Sequence, residues 1–310
     1  MTLFSVRDVL VALATFLVVG GVLTHVVVAE RFAVTWPVAD VVTTSRSVDS
    51  TLLDPQTLKT RTGVVLDRRR TVIPTVAAVP GADAYVVSTS TADDGKVVSR
   101  QRWAVVQEPE TGTAIDSSAN AERVTTFGPS GDAVEGQRQL RDVGGVVTRF
   151  PRDTQALTYA RYDPETRRTG EATFVRRTRL AGSDVLEFRQ VEDPRTSSDA
   201  EAPGAWVSSD TTLWVRPEVG AVVKTSTRVV ETTPDGLATM LDARFVDDAA
   251  SIGRSSAAAD RAVDSHRLRG SIIPGAALIL GALAALAALV EGRASWPAWR
   301  LQRRRPDSAG

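Results

Sequence analysis

The chain has 310 residues, 37 Lys and Arg against 37 Asp and Glu, 43% hydrophobic but only 5% aromatic residues, no cysteine and two histidines. Balanced charge argues against nucleic acid as the main partner, and the missing thiols exclude disulfides, thiol catalysis and thiolate metal sites. With only His25 and His266 to draw on, a Ser-His-Asp triad or a His-based zinc site has almost nothing to be built from, and no cofactor is expected.

Residues 1–8 read as a short tail. From Val9 to Ala29 the chain is apolar apart from Thr15, Thr24 and His25, close to the roughly 20 residues that a helix needs to cross a bilayer. A cleaved secretory signal is the alternative, because Val27-Val28-Ala29 before Glu30 offers a small-residue site. The apolar run is nevertheless longer than a usual signal core of about 7–15 residues, which favours an uncleaved anchor.

Residues 31–246 change to a strand pattern. Val223, Thr225, Thr227 and Val229 alternate with Lys224, Ser226 and Arg228, the period of two expected of a strand. Segments 71–79, 83–91, 96–107, 171–180, 185–192, 211–216, 221–231 and 237–246 all read as strands, separated by turns such as Asp93-Asp94-Gly95 and Pro234-Asp235-Gly236. A weak internal repeat relates Trp103-to-Gly112, ending Pro109-Glu110-Thr111-Gly112, to Leu213-to-Gly220, ending Pro217-Glu218-Val219-Gly220. Gly81-Ala82-Asp83 and Gly182-Ser183-Asp184 precede the two. Either a β-meander reuses the same turns or two related halves form one domain. Segment 193–210, rich in Ser, Asp and Pro, reads as a loop.

The stretch 247–270 looks helical and leads into a second uncharged run, Ile272 to Val290. The tail 291–310 then carries Arg293, Arg300, Arg303, Arg304 and Arg305, and short Arg-rich flanks stay cytoplasmic. The expected fold class is therefore mainly β: a curved antiparallel β-sheet or half-barrel, extracytoplasmic, flanked by N- and C-terminal transmembrane helices. The expected location is the cell membrane, with two spans, both termini cytoplasmic and the large domain outside.

Several motifs appear in a fixed order: Thr51-Leu52-Leu53-Asp54-Pro55-Gln56-Thr57, Phe150-Pro151-Arg152-Asp153-Thr154, Tyr159, Tyr162-Asp163-Pro164-Glu165-Thr166 and Leu213-Trp214-Val215-Arg216-Pro217-Glu218-Val219-Gly220. Together with the apolar ends, they make the chain resemble the actinobacterial porin PorA family. The resemblance implies a cell-envelope protein and supplies no catalytic residues. A pore with strands in lipid needs a continuously apolar outer face, and Arg176-Arg177-Thr178-Arg179 does not fit one.

Candidate sites are few. Ala277, Gly281 and Ala285 form a small-residue stripe that packs, in this reading, against Gly20 or Gly21. Arg303, Arg304 and Arg305 face anionic headgroups. His25 reads as interfacial. The basic runs Arg68-Arg69-Arg70 and Arg176-Arg177-Thr178-Arg179 read either as binding anionic lipid or polymer or as charged strand edges. The adjacent pairs Asp93-Asp94 and Asp247-Asp248, with Asp163-Pro164-Glu165, are turn residues before they are catalytic acids, because neighbouring strand residues point to opposite faces. The function expected is non-enzymatic, with membrane lipid as partner and the β domain binding an envelope lipid or amphipathic molecule. A structural or assembly partner without ligand and a pore-forming subunit are the alternatives.

Overall fold

Alternating inward and outward side chains organise the residues between Val41 and Asp247 into twelve strands. They are β1 (Val41–Leu53), β2 (Thr60–Thr75), β3 (Asp83–Asp93), β4 (Lys96–Gln107), β5 (Ala121–Phe127), β6 (Ala133–Gln139), β7 (Tyr159–Asp163), β8 (Arg168–Leu180), β9 (Ser183–Thr196), β10 (Trp206–Arg216), β11 (Ala221–Thr232) and β12 (Thr239–Asp247). The structure, a computed structural model, describes residues 15–19, 41–54, 57, 59–127, 133–140, 143–196, 204–267, 276, 279–283 and 285–287. β10 shows the pattern plainly: Ser209, Thr211, Leu213 and Val215 are buried, and the residues between them are less so.

The strands form one antiparallel sheet in the order β6-β5-β4-β3-β2-β1-β12-β11-β10-β9-β8-β7. Six strands of the N-terminal half and six of the C-terminal half therefore run around the sheet in the same sense, joined where β1 pairs with β12 through Arg46 opposite Val246 and Leu52 opposite Leu241. The two repeat elements occupy equivalent places, with the Gly-x-Asp turns opening β3 and β9 and the Pro-Glu-x-Gly turns following β4 and β10. Both of those turns dock on the same segment. Gly112 and Gly220 have φ of 68° and 67°, and a methyl group added at either would overlap the carbonyl oxygen of Arg149 or Phe150 respectively. The Phe150 amide donates to Gly220 O at 2.8 Å and the Thr154 amide to Pro217 O at 3.0 Å.

The sheet curls. Trp103 on β4 and Tyr162 on β7, near opposite ends of the strand order, meet edge to face at 6.3 Å. Isolated bridges pair Gln107 with Ala114, Thr113 with Val146, and Val146 with Arg161 of β7, linking the two sides at one rim. Apolar packing lies toward that rim. One cluster joins Tyr85, Val87, Trp103, Val105, Val147 and Tyr162, and a second joins Phe150, Phe188, Leu213 and Val215. Phe188 stacks on Phe150 at 4.8 Å and meets Tyr159 edge-on at 5.7 Å, arrangements that add to area burial. The strand reading from sequence holds for β3, β4, β11 and β12 but misses β1 and β5 to β7, and β9 and β10 extend into the supposed loop 193–210.

A helix follows the sheet directly. α1 (Ala249–Arg267) begins where the Asp248 carboxylate accepts the Ser251 amide at 2.6 Å, an N-cap that satisfies an otherwise orphaned donor. Its Ala259 and Val263 pack with Val185, Val219, Ala221 and Val223.

The expected transmembrane helices require correction, and with them the two-span cell-membrane location with cytoplasmic termini. Among the described residues no helix is long and apolar enough to cross a membrane. α1 has 19 residues but carries Arg254, Asp260, Arg261, Asp264 and Arg267, charges that hydrocarbon does not accept without partners. Gly20, Gly21, His25, Ala277 and Arg303 to Arg305 lie outside the described residues. Gly281 is buried, and a Cβ there would come within 2.9 Å of Val18 Cγ2; Ala285 is half-buried.

Candidate functional site: a charged interior

The inside of the curl is polar. β2 supplies it through strand alternation: Arg68 and Arg70 turn inward and Arg69 is exposed. The β7–β8 turn supplies the rest, because Asp163-Pro164-Glu165 reaches across the concave side to β2 and β4. Arg68 donates to both oxygens of Glu165, at 2.7 and 3.4 Å, and lies 3.7 Å from the Phe245 ring centroid. Gln101 donates to Pro164 O at 3.3 Å and to Glu122 at 2.7 Å, and Arg167 bonds Glu122 at 2.9 Å. The family-resemblance motif 162–166 is thus an internal brace.

Asp163 is 1% exposed and saturated. It accepts the hydroxyls of Ser209 at 2.5 Å and Thr166 at 2.9 Å, with the Glu165 and Thr166 amides at longer range. Arg161, also buried, donates to Gln190 Oε1 at 2.7 Å, and Gln190 Nε2 returns a bond to Arg161 O at 3.0 Å. Burial pushes the Arg161 guanidinium down to about 10, against the pull of Asp163, with Arg70 adding like-charge repulsion. Burial likewise lowers Arg70, opposed by Asp247 and Glu165. Asp247 accepts the Thr225 amide at 2.7 Å, yet burial raises its carboxyl to about 6.

Arg68, Arg70, Arg161, Asp163, Glu165 and Asp247 line a cavity of about 60 Å³, together with Thr43, Thr211, Thr225, Thr227 and Trp103. A neighbouring cavity of about 80 Å³ shares Thr43, Arg70, Thr225 and Asp247 with it and continues to Tyr85 and Arg149. There burial raises the Tyr85 hydroxyl above its ordinary range, and Arg149 reaches Asp83 at 3.3 Å. Arg70 and Asp247 therefore stand where the charged cavity meets a second one whose far wall, with Val41, Val72, Ala221, Val222 and Val223, is largely apolar.

The outer face is polar as well. Three cross-strand ion pairs are exposed on it: Arg46 with Asp67 at 2.7 Å, Arg189 with Asp210 at 2.7 Å and Arg228 with Asp242 at 2.8 Å. Arg176 of the second basic run bonds Glu187 at 2.9 Å. The carboxylate pairs separate as strand geometry requires: Asp247 faces the cavity while Asp248 caps α1. Asp93 takes Arg61 and Asp94 sits in a turn with φ of 48°. Reading the sequence for adjacent acids overlooked Arg161 and Gln190, which the fold alone brings together. The alternation in Arg68-Arg69-Arg70 was the available signal for Arg70.

Comparison with known proteins comes to one family. The family described as Porin PorA matches residues 8–290, nearly the whole chain, and the protein belongs to it. No curated protein matches the chain.

Proposed function

We propose that this chain is a non-enzymatic, pore-forming subunit of the cell envelope, and that its curved sheet is the water-filled polar part of the pore. Membership of the porin family supports the class of activity. The observation that carries the reading is the chemistry of the concave side, where Arg68, Arg70, Arg161, Asp163, Glu165 and Asp247 alternate with threonine hydroxyls. Such a lining suits small hydrophilic solutes. An acyl chain laid along it would desolvate charges without replacing their hydrogen bonds, so the lipid-carrying reading gives way to the pore.

The exposed ion pairs Arg46–Asp67, Arg189–Asp210 and Arg228–Asp242 also bear on how such a pore is built. Charges on the lipid face of a strand cost several kcal/mol at the bilayer midplane, so these strands stand in water, and the lipid-facing wall belongs to an assembly of several subunits. The test is conductance of purified full-length protein in a planar bilayer. Stepwise channel openings are expected, and the reversal potential in a salt gradient should shift toward cation selectivity in Arg70→Glu. Incorporated protein that yields no openings above the detergent control would refute the proposal.

A further inference from the structure

We infer that the interior cavity is a binding site for a small oxyanion of phosphate size, held between Arg70 and Arg161. The argument is a count of donors against acceptors. Glu165 spends both oxygens on Arg68. Asp163 is occupied by Ser209, Thr166 and two backbone amides. Asp247 accepts the Thr225 amide. The acceptors are thus largely consumed within the protein, and donors are left over.

Arg161 uses one guanidinium nitrogen on Gln190. Arg70 has no hydrogen bond or ion pair among the described residues, only the longer-range pull of Asp247 and Glu165. Two further donors of cavity-lining residues, Trp103 Nε1 and Arg68 Nε, are buried with no partner. Arg161 is buried and Arg70 half-buried, and both line this one cavity; two guanidinium groups facing the same small space favour a negative charge between them. The Thr227 hydroxyl, which accepts that of Thr211 at 3.2 Å, lines the same space and supplies one further donor.

Size selects the class of ligand. About 60 Å³ admits a phosphate, a sulfate or a few waters, and excludes a nucleotide or a lipid headgroup with its glycerol. Guanidinium geometry matches oxyanions through paired N–H bonds in a way that a monatomic ion cannot exploit.

The site stands independently of the pore reading, and its test separates the two. Full-length protein is unfolded thermally in increasing phosphate and in chloride of equal ionic strength. Phosphate should raise the midpoint in proportion to the logarithm of its concentration once above Kd, by roughly 5–10 °C at about 100 times Kd, and chloride should not. Arg70→Gln should weaken phosphate about 10- to 100-fold, while Arg69→Gln, on the exposed face, should leave it unchanged. Should Arg70→Gln fail to fold, equilibrium dialysis of labelled phosphate against the natural protein decides: one phosphate per chain, displaced by sulfate, is expected. Equal shifts from phosphate and chloride, an undiminished response in Arg70→Gln, or no stoichiometric uptake would overturn the inference. Protein that binds phosphate but conducts nothing would remove the pore and leave this site standing.

Discussion

Replacing Asp247 with asparagine should stabilise the protein at alkaline pH and leave it unchanged in acid. The carboxyl ionises near 6 in the fold against an ordinary 3.8. Burial is the dominant cause; the Thr225 amide, Arg70 and Lys224 favour the charged form without overcoming it, and Asp248 opposes it. The folded state therefore holds this proton longer than the unfolded chain does. Stability from this group is complete below about pH 3.8, falls as pH rises, and is lost above about 6. Each pH unit of the difference corresponds to about 1.4 kcal/mol, or about 3 kcal/mol in full. Asp247 is only half-buried, so solvent screening brings the expected penalty nearer 2 kcal/mol. Asparagine removes the charge while keeping an oxygen for the Thr225 amide. In phosphate-free buffer at pH 8, Asp247→Asn should unfold about 4–8 °C above the natural protein, and the gap should close by pH 3.5. A lower midpoint at pH 8, or a difference independent of pH, would refute the reasoning.

Gly220→Ala should destabilise far more than Gly95→Ala, although both glycines have positive φ, 67° and 75°. At Gly95 the added methyl meets open space, and about 1 kcal/mol is expected. At Gly220 it overlaps the Phe150 and Pro151 backbone, and a loss of about 3 kcal/mol or more is expected in urea unfolding; equal losses would count against the docked turn. Arg228→Ala on the outer face should cost under about 1 kcal/mol, less in high salt, since both it and Asp242 are substantially exposed. A loss of several kcal/mol there would mean that the outer ion pairs lie against something other than water.

Much of the β architecture is legible locally. Alternation in β11, the β-branched content of the strands and the Pro-Glu-x-Gly turns are each set by a few neighbouring residues, because strand geometry and positive φ are local demands. The motif order that places the chain in its family is likewise readable without a fold. β1 is not legible: Val41–Leu53 is rich in Ser and Thr and becomes a strand because β2 and β12 supply its hydrogen bonds, one partner lying almost 200 residues away. The apolar runs at the two ends declared that they avoid water; their composition did not decide what helices they form, and the expected spans were read from composition alone. Tertiary structure also made the site. Arg70, Arg161 and Asp247 belong to β2, β7 and β12, far apart in the chain, and meet only because the sheet curls and the 163–166 turn crosses its hollow. Charge separated by that much sequence is invisible to periodicity. The curl leaves these groups with less water around them than an open strand would, and that shared partial desolvation gives them their shifted ionisation.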